Sequence, residues 1–581
     1  MNRKPNVVFV LTDDQGYGDL RCNGNSIIKT PYIDGFSGKS IRLTNFHVGP
    51  TCSPTRASLL TGHYANSTGV WHTIGGRSLL RKNEWTLASA LRDAGYRTGI
   101  FGKWHLGDEY PYRPHDRGFE TSIVHGGGGI GQTPDYWGND YFHDTYFVNG
   151  EPKKFTGYCT DVWFDEALKY IEANKDRPFF CYIPTNAPHG PFNVERKYYE
   201  LYRGNVPDMR ARFYGMITNI DENFGILCQK LREWGLEENT LLIFMTDNGS
   251  STGATLDRNG FVIEGYNAGM RGLKGWPYDG AHRVPFLLRW PAGGLDHGLD
   301  HDEITASVDF MPTILDLCGI EVSPSRGFHG TSIKQLLYDD EEDWPERTLV
   351  TDSQRITNPM KWRKSSVMTN RWRLVNRREL YDIQRDPEQR HDVADEHPGI
   401  VRKLRKEYEK WWAIVSEQFD EEIPISLGAE GKKEVRLTCH DWRNENCNCP
   451  WNQSHIRSGM EANGYWEILV ERSGGYRIEL RRWPREIGYP LNYGFDGDDV
   501  EWRKDCIAQR FWSWYTEGKV LPLKYVKLRV GDIEYSKEIL PNDSSVTFNV
   551  TLKEGQVHLQ SWLADGRDLQ VGAYYVYVTH V

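Results

Sequence analysis

Four short runs of β-branched, aromatic and aliphatic residues, each closing on polar side chains, constrain this chain more than any other feature. Asn6 to Thr12 reads Asn-Val-Val-Phe-Val-Leu-Thr and stops at Asp13-Asp14. Leu241 to Thr246 stops at Asp247-Asn248-Gly249, Phe179 to Ile183 is followed by Asn186-Ala187-Pro188-His189, and Thr98 to Phe101 by Gly102-Lys103-Trp104-His105. A run with no polar face has nothing to offer water, so each reads as a strand covered on both sides. Helical patterns lie between them: Glu84 to Ala94 ahead of Gly95, Asp161 to Asn174 with Thr160 as N-cap, and Ala211 to Trp234. This alternation predicts an α/β fold, a mostly parallel sheet flanked by helices. Ligands of such sheets sit at the carboxyl ends of the strands. Asp13, Asp14, Lys103, His105, His189, Asp247 and Asn248 are therefore expected to converge there, although they are scattered along the chain.

At 581 residues the chain is too long for one core, so further domains are expected. The acidic stretch Asp339 to Glu346 reads as a surface connection closing the first domain, residues 1–345. Residues 346–425 form a smaller α/β unit, with strand patterns around Trp372-Arg373-Leu374-Val375 and Leu380-Tyr381-Asp382 and a helix from Pro398 to Trp412. From 430 to 581 the texture changes to period-two alternation. Trp466 to Val470, Tyr476 to Leu480, Val526 to Val530, Val546 to Val550 and Tyr574 to Val578 predict an additional C-terminal β-sandwich.

The net charge of -10 argues against nucleic-acid or anionic-membrane binding, and no apolar run is long enough to span a bilayer. An anionic substrate would need a locally positive pocket. Asp13, Asp14, Asp247 and Asn248 offer oxygen donors only, a set that suits a hard cation, calcium before magnesium, rather than zinc. Taken singly, either pair reads equally well as a helix cap or a solvated turn.

The run Cys52-Ser53-Pro54-Thr55-Arg56, continuing Ala57-Ser58-Leu59-Leu60-Thr61-Gly62, puts a thiol at the start of a helix, with Pro54 in the first turn. This run resembles the signature of the type I sulfatases, in which Cys-x-Pro-Ser/Thr-Arg marks a cysteine that a maturation enzyme oxidises to formylglycine (3-oxoalanine). Thr12 to Leu20, Gly102 to Gly107, Ala187-Pro188-His189, Thr246 to Gly249, Arg271 to Gly275 and Arg283-Val284-Pro285 resemble further motifs of that family, in its order, over roughly residues 5 to 415.

The resemblance implies an alkaline phosphatase-like fold and calcium held by Asp13, Asp14, Asp247, Asn248 and the modified Cys52. Arg56, Lys103, His105, His189 and Lys274 would complete the catalytic set. One hydroxyl of the hydrated aldehyde would attack sulfur, His189 with Lys274 would protonate the departing sugar oxygen, and His105 would deprotonate the second hydroxyl to expel sulfate. The expected substrate is a sulfate ester on a polysaccharide or glycosaminoglycan fragment, an expectation supported by 21 tryptophans and 31 tyrosines. The alternatives are a phosphate or phosphonate ester hydrolase and a non-catalytic glycan-binding protein. Met1 to Pro5 leads straight into the first strand and is not expected to be a leader peptide. The expected location is periplasmic or secreted, with the cytoplasm open.

His282 departs from the family pattern, where a small or apolar residue commonly precedes the arginine, and is a candidate substrate contact or a packed histidine. The stretch from His125 through Gly126-Gly127-Gly128-Gly129 to Asp135, Tyr136 and Trp137 reads as a saccharide pocket wall or a surface loop. Cys439, Cys447, Cys449 and Cys506 lack zinc-finger spacing and read as free thiols or disulfides. The aromatics of the C-terminal module, among them Trp442, Trp451 and Trp483, suit either sugar binding or a packing module that buttresses the active-site rim.

Overall fold

The computed structural model describes residues 4–323, 326–338, 344–497, 505–509, 515 and 517–581. Most of the acidic stretch from Asp339 lies outside them. All four apolar runs are strands of one mixed sheet. Thr240–Thr246, Asn6–Thr12, Phe179–Pro184, Arg97–Lys103 and Thr121–His125 lie side by side in parallel and form its centre. Antiparallel strands flank them, Phe286–Arg289 and Ile41–Leu43 on one side and Thr145–Val148 with Glu151–Lys154 on the other.

Alternation along Asn6–Thr12 explains why every residue in it is buried. Val7, Phe9 and Leu11 share a core with residues of the helices Cys52–Thr61, Leu87–Asp93 and Phe310–Leu317. Val8 and Val10 share the other core with the helices Cys159–Asn174 and Asp208–Glu233. Each aliphatic side chain buried this way contributes about 1.5–3 kcal/mol.

Several boundaries differ from expectation: the helix read from Glu84 begins at Leu87 with Thr86 as its cap, that read from Ala211 begins at Asp208, and that read to Trp412 runs on to Val415. The helix expected from Asp161 starts at Cys159, capped by Tyr158. Thr160 lies inside its first turn and its hydroxyl has no partner; Asn186 Oδ1 accepts from Cys159 Sγ at 2.9 Å and ties the helix start to the 186–189 loop. The strand Ile425–Leu427 pairs with Tyr465–Val470, so the C-terminal module starts a few residues before 430.

The second unit is a four-stranded antiparallel sheet, Leu349–Asp352, Ser365–Met368, Trp372–Val375 and Glu379–Asp382, backed by the helix Pro398–Val415. The C-terminal module is a sandwich. One sheet holds Ile425–Leu427, Tyr465–Val470, Gly555–Ala564, Tyr525–Val530 and Ile533–Glu538, and the other Glu434–Thr438, Tyr575–His580, Gly474–Arg481 and Val546–Leu552. They close on one core that contains Trp442 and Trp483, both fully buried, so neither is a platform for sugar. Among the described residues no helix is long and apolar enough to cross a membrane, and all ten cysteines are free thiols.

Candidate active site

The strand ends converge as the topology requires. Cys52 is the first residue of the helix Cys52–Thr61, after an extended Thr51, and is buried. Its Sγ lies 3.3 Å from Asp13 Oδ1, 3.8 Å from Asp14 Oδ1 and 3.4 Å from Lys274 Nζ. Asp13 accepts from Lys103 Nζ at 2.6 Å, and Asp14 from Lys274 Nζ at 2.5 Å. Asp247 Oδ2 accepts from Arg56 Nη2 and Nε at 2.8 and 3.1 Å, and its Oδ1 from the Asp14 amide. Asp14 and His105 hold positive φ angles of 64° and 59°, backbone strain that side-chain-bearing residues keep only where the surroundings over-determine it.

The charges balance: three carboxylates (Asp13, Asp14, Asp247) face three cations (Arg56, Lys103, Lys274), a net of zero. Burial, together with the neighbouring Asp13, pushes Asp247 up to about 6. Burial works against ionisation of Asp14 as well, but Lys274, His189 and Lys103 hold its carboxyl below the usual range. Crowded carboxylates are relieved by a cation. The side-chain oxygens of Asp13, Asp14 and Asp247 and the Cys52 sulfur offer ligand atoms all within 4.8 Å of one another. Asn248 donates its amide nitrogen to Asp14 Oδ1, while its own buried Oδ1 has no partner. This oxygen-rich, charge-neutral set fits a hard divalent cation, which would leave the site net positive for an anionic substrate.

The two histidines are held by glycines. A Cβ on Gly128 would stand 2.2 Å from His105 Cε1, and one on Gly129 3.1 Å from His189 Nδ1. The four-glycine run is therefore packed between the two imidazoles and is no exposed wall. Asp135 is buried beneath it, accepting from the Gly126 and Gly131 amides, and acts through the loop. His105 Nε2 is 2.9 Å from Thr73 O, and its Nδ1 is buried without a partner. Burial lowers both imidazoles, His189 to about 4 and His105 well below its ordinary value, whereas the carboxylates around Lys274 keep it charged.

Access is one-sided. The Arg56, Lys103, Asp13 and Asp247 side chains are 0% exposed, whereas Lys274 is 19% and His189 17% exposed, so substrate arrives on the side of these two.

Three of the expected substrate contacts lie elsewhere than a sugar could reach. His282 is fully buried, with its Nδ1 2.9 Å from His47 Nδ1. It belongs to a polar cluster in which Arg373 donates to Asp279 at 2.9 Å and contacts His47. The guanidinium already balances Asp279, so these residues join the second unit to the first rather than face substrate. Trp137 packs edge-on against Trp483, with ring centroids 5.4 Å apart. Asp135 serves the glycine loop as described. Tyr136 is half-buried and lines a cavity of about 650 Å³ between the first domain and the C-terminal module.

Sequence reasoning missed His440 of the C-terminal module. It is 1% exposed, its Nε2 has no partner, and its ring centroid is 6.2 Å from that of His105. No local motif marks it; only the docking of the sandwich brings it there.

The profile described as Sulfatase matches residues 5–320, more than half of the chain, and that described as N-sulphoglucosamine sulphohydrolase, C-terminal, matches 273–413. The chain belongs to the sulfatase family, sulfuric ester hydrolases of the alkaline phosphatase-like superfamily. An arylsulfatase of Hemicentrotus pulcherrimus is 28% identical over 58% of this chain, which spans 62% of that relative's length. The ulvan-active sulfatase of Formosa agariphila is 29% identical over 60% of this chain and 68% of its own. The crystal structure of Ps i-CgsB, in complex with k-i-k-neocarrahexaose, superposes on 71% of this chain and 98% of that one, with TM-score 0.63 and 25% identity.

Proposed function

We propose that this protein is a formylglycine- and calcium-dependent sulfatase that removes sulfate from a carbohydrate chain, acting outside the cytoplasm. The observation that carries the reading is Cys52 at a helix start, gripped by Asp13, Asp14 and Lys274. A relative named for ulvan and a neighbour solved with k-i-k-neocarrahexaose support the carbohydrate class.

Asp13, Asp14, Asp247 and Asn248 would hold calcium beside Cys52. Calcium bound there would supply a Lewis acid for the sulfuryl oxygens, and Cys52 oxidised to formylglycine would supply the oxygen nucleophile. Arg56 and Lys103 hold the acidic side chains in place, the guanidinium by its two bonds to Asp247 and one to the Lys103 carbonyl. Lys274, charged and partly exposed, faces incoming substrate and stabilises the oxygen on which charge develops. His189 stands beside it, neutral in the free protein. An anion seated between them raises its proton affinity and makes it a donor to the departing sugar oxygen. The buried, unpartnered Nδ1 of His105 is suited to accept a proton when sulfate is expelled.

The test is sulfate release from a panel of sulfated saccharides, with and without a calcium chelator, alongside Cys52→Ala and mass spectrometry of the Cys52 peptide. Release by formylglycine-bearing wild type alone, lost on chelation and restored by calcium, is expected. Release of phosphate from matched phosphate esters, with none from the sulfates, would overturn the assignment.

A further inference from the structure

Beside the catalytic pocket lies a cluster of cations that the reaction does not use. The loop following strand Leu349–Asp352 carries Arg355, Arg363 and Lys364, and among the described residues no carboxylate lies within salt-bridge distance of any of them. Arg355 and Lys364 are exposed. The loop is aimed at the catalytic lysine: Lys364 Nζ donates to the carbonyl of Gly275, the residue after Lys274, at 3.1 Å, and Arg355 Nη1 would lie 3.8 Å from a Cβ on Gly275.

The loop is held on several sides. The Arg355 amide donates to Trp71 O, Trp71 Nε1 to the carbonyls of Ile356 and Thr357, Arg77 Nε to Thr357 O, and Thr357 Oγ1 to Asn444 O of the C-terminal module. Arg355, Trp362 and Lys364 all hold positive φ angles, 42°, 66° and 40°. Residues of this kind in left-handed backbone cost free energy and persist where tertiary structure enforces them. Partial burial of its stem lowers the Lys364 ammonium, and Arg363 and Arg355 lower it further, so both arginines repel it. Gathering like charges at a rim where Arg363 alone is drawn to a carboxyl, that of the buried Asp352, is unfavourable, and an incoming anion offsets it.

We propose that Arg355, Arg363 and Lys364 form a second anion subsite, which selects glycans carrying another acidic group, a carboxylate or a second sulfate, close to the sulfate being removed. The inference rests on the sulfatase reading and deepens it by naming the substrate class as polyanionic. Its position at the rim, next to Lys274, suits a group on the same or the neighbouring sugar.

The experiment compares kcat/KM of the full-length, formylglycine-bearing wild type, Arg355→Ala, Lys364→Ala and Arg355→Lys. The substrates are a monosulfated neutral saccharide, a disulfated saccharide and a monosulfated saccharide containing a uronate. In both alanine variants the ratio of doubly to singly anionic substrates is expected to fall about tenfold, chiefly through KM and less so at high ionic strength, while Arg355→Lys keeps most of it. A fall confined to the uronate arm identifies a carboxylate partner, and one confined to the disulfated arm a second sulfate; either supports the subsite. Equal losses on all three substrates, or none, would overturn it. Should wild type release no sulfate from any substrate despite formylglycine, the sulfatase reading fails. The subsite then stands or falls on calorimetry with the same saccharides, by whether Arg355→Ala weakens binding of the doubly anionic ones selectively.

Discussion

Gly128 and His105 illustrate how far single atoms decide this site. A methyl on Gly128 would meet the His105 ring at 2.2 to 2.8 Å, and that ring is buried and tied to Thr73 O, so it has no room to yield. Gly128→Ala is expected to lower kcat by about 100-fold, since misplacing a catalytic group by an ångström costs that much, and to lower stability by about 1–3 kcal/mol through overpacking. Steady-state kinetics with a thermal melt check this, and unchanged kcat would refute it. The buried His47–His282 pair makes a second prediction. Burial pushes His282 down to about 4 and His47 well below its ordinary value. The unfolded chain therefore binds these protons more readily than the folded one. Stability is full above about 6.5 and falls as the pH drops toward about 4, by at most about 1.4 kcal/mol per pH unit for each imidazole. Denaturation midpoints across that window should show the slope, and His282→Asn should flatten it; an unaltered slope would refute the account.

At the scale of elements, the central strands were legible because burial on both faces leaves a continuous apolar run, and their polar ends gave the site its direction. Phe9, on the innermost strand, stacks on Tyr182 with centroids 5.0 Å apart and packs at a tilt against Phe310 at 4.6 Å. Phe9→Ala is expected to cost about 3–5 kcal/mol, read as a shift in denaturation midpoint without a change in slope. A cost below about 1 kcal/mol would mean that the two layers can collapse around the gap. Helix ends were less legible. Thr160 carries a side chain favoured for capping, but the helix begins one residue before it, at Cys159, which is tied to Asn186, a partner 27 residues away.

Across the whole molecule, the C-terminal sandwich is part of the active-site frame. The Gly75 amide donates to His440 O, Thr133 pairs with Trp451, and Cys506–Ile507 adds a strand to Val194–Glu195 just beyond His189. Arg443 links the two bodies, with one nitrogen on Gly75 O at 3.0 Å and another on Glu467 at 2.9 Å, both side chains almost fully buried. Arg443→Ala takes from Glu467 its ion partner, leaving the Ile423 amide and the field of Arg77 to hold the buried charge, and is expected to cost about 3 kcal/mol. Arg443→Met with Glu467→Leu should restore stability yet not kcat, because the tie to the loop carrying Thr73 is still missing. Full recovery of kcat in the double variant would reduce Arg443 to a packing role.

The sequence by itself determined the central strands, the oxygen donors at their ends and the cysteine at a helix start, because periodicity and local chemistry are written over a few neighbouring residues. Only the tertiary structure decided that Asn248 Oδ1 is left unpaired beside the acids, that His282 is sealed against His47 and Arg373, and that a glycine run cradles two imidazoles. Only it brought His440 beside His105 and turned Arg355 and Lys364 toward Gly275. Those contacts join residues tens to hundreds of positions apart, and the packing of three bodies against one another sets them where no local pattern in the chain records the outcome.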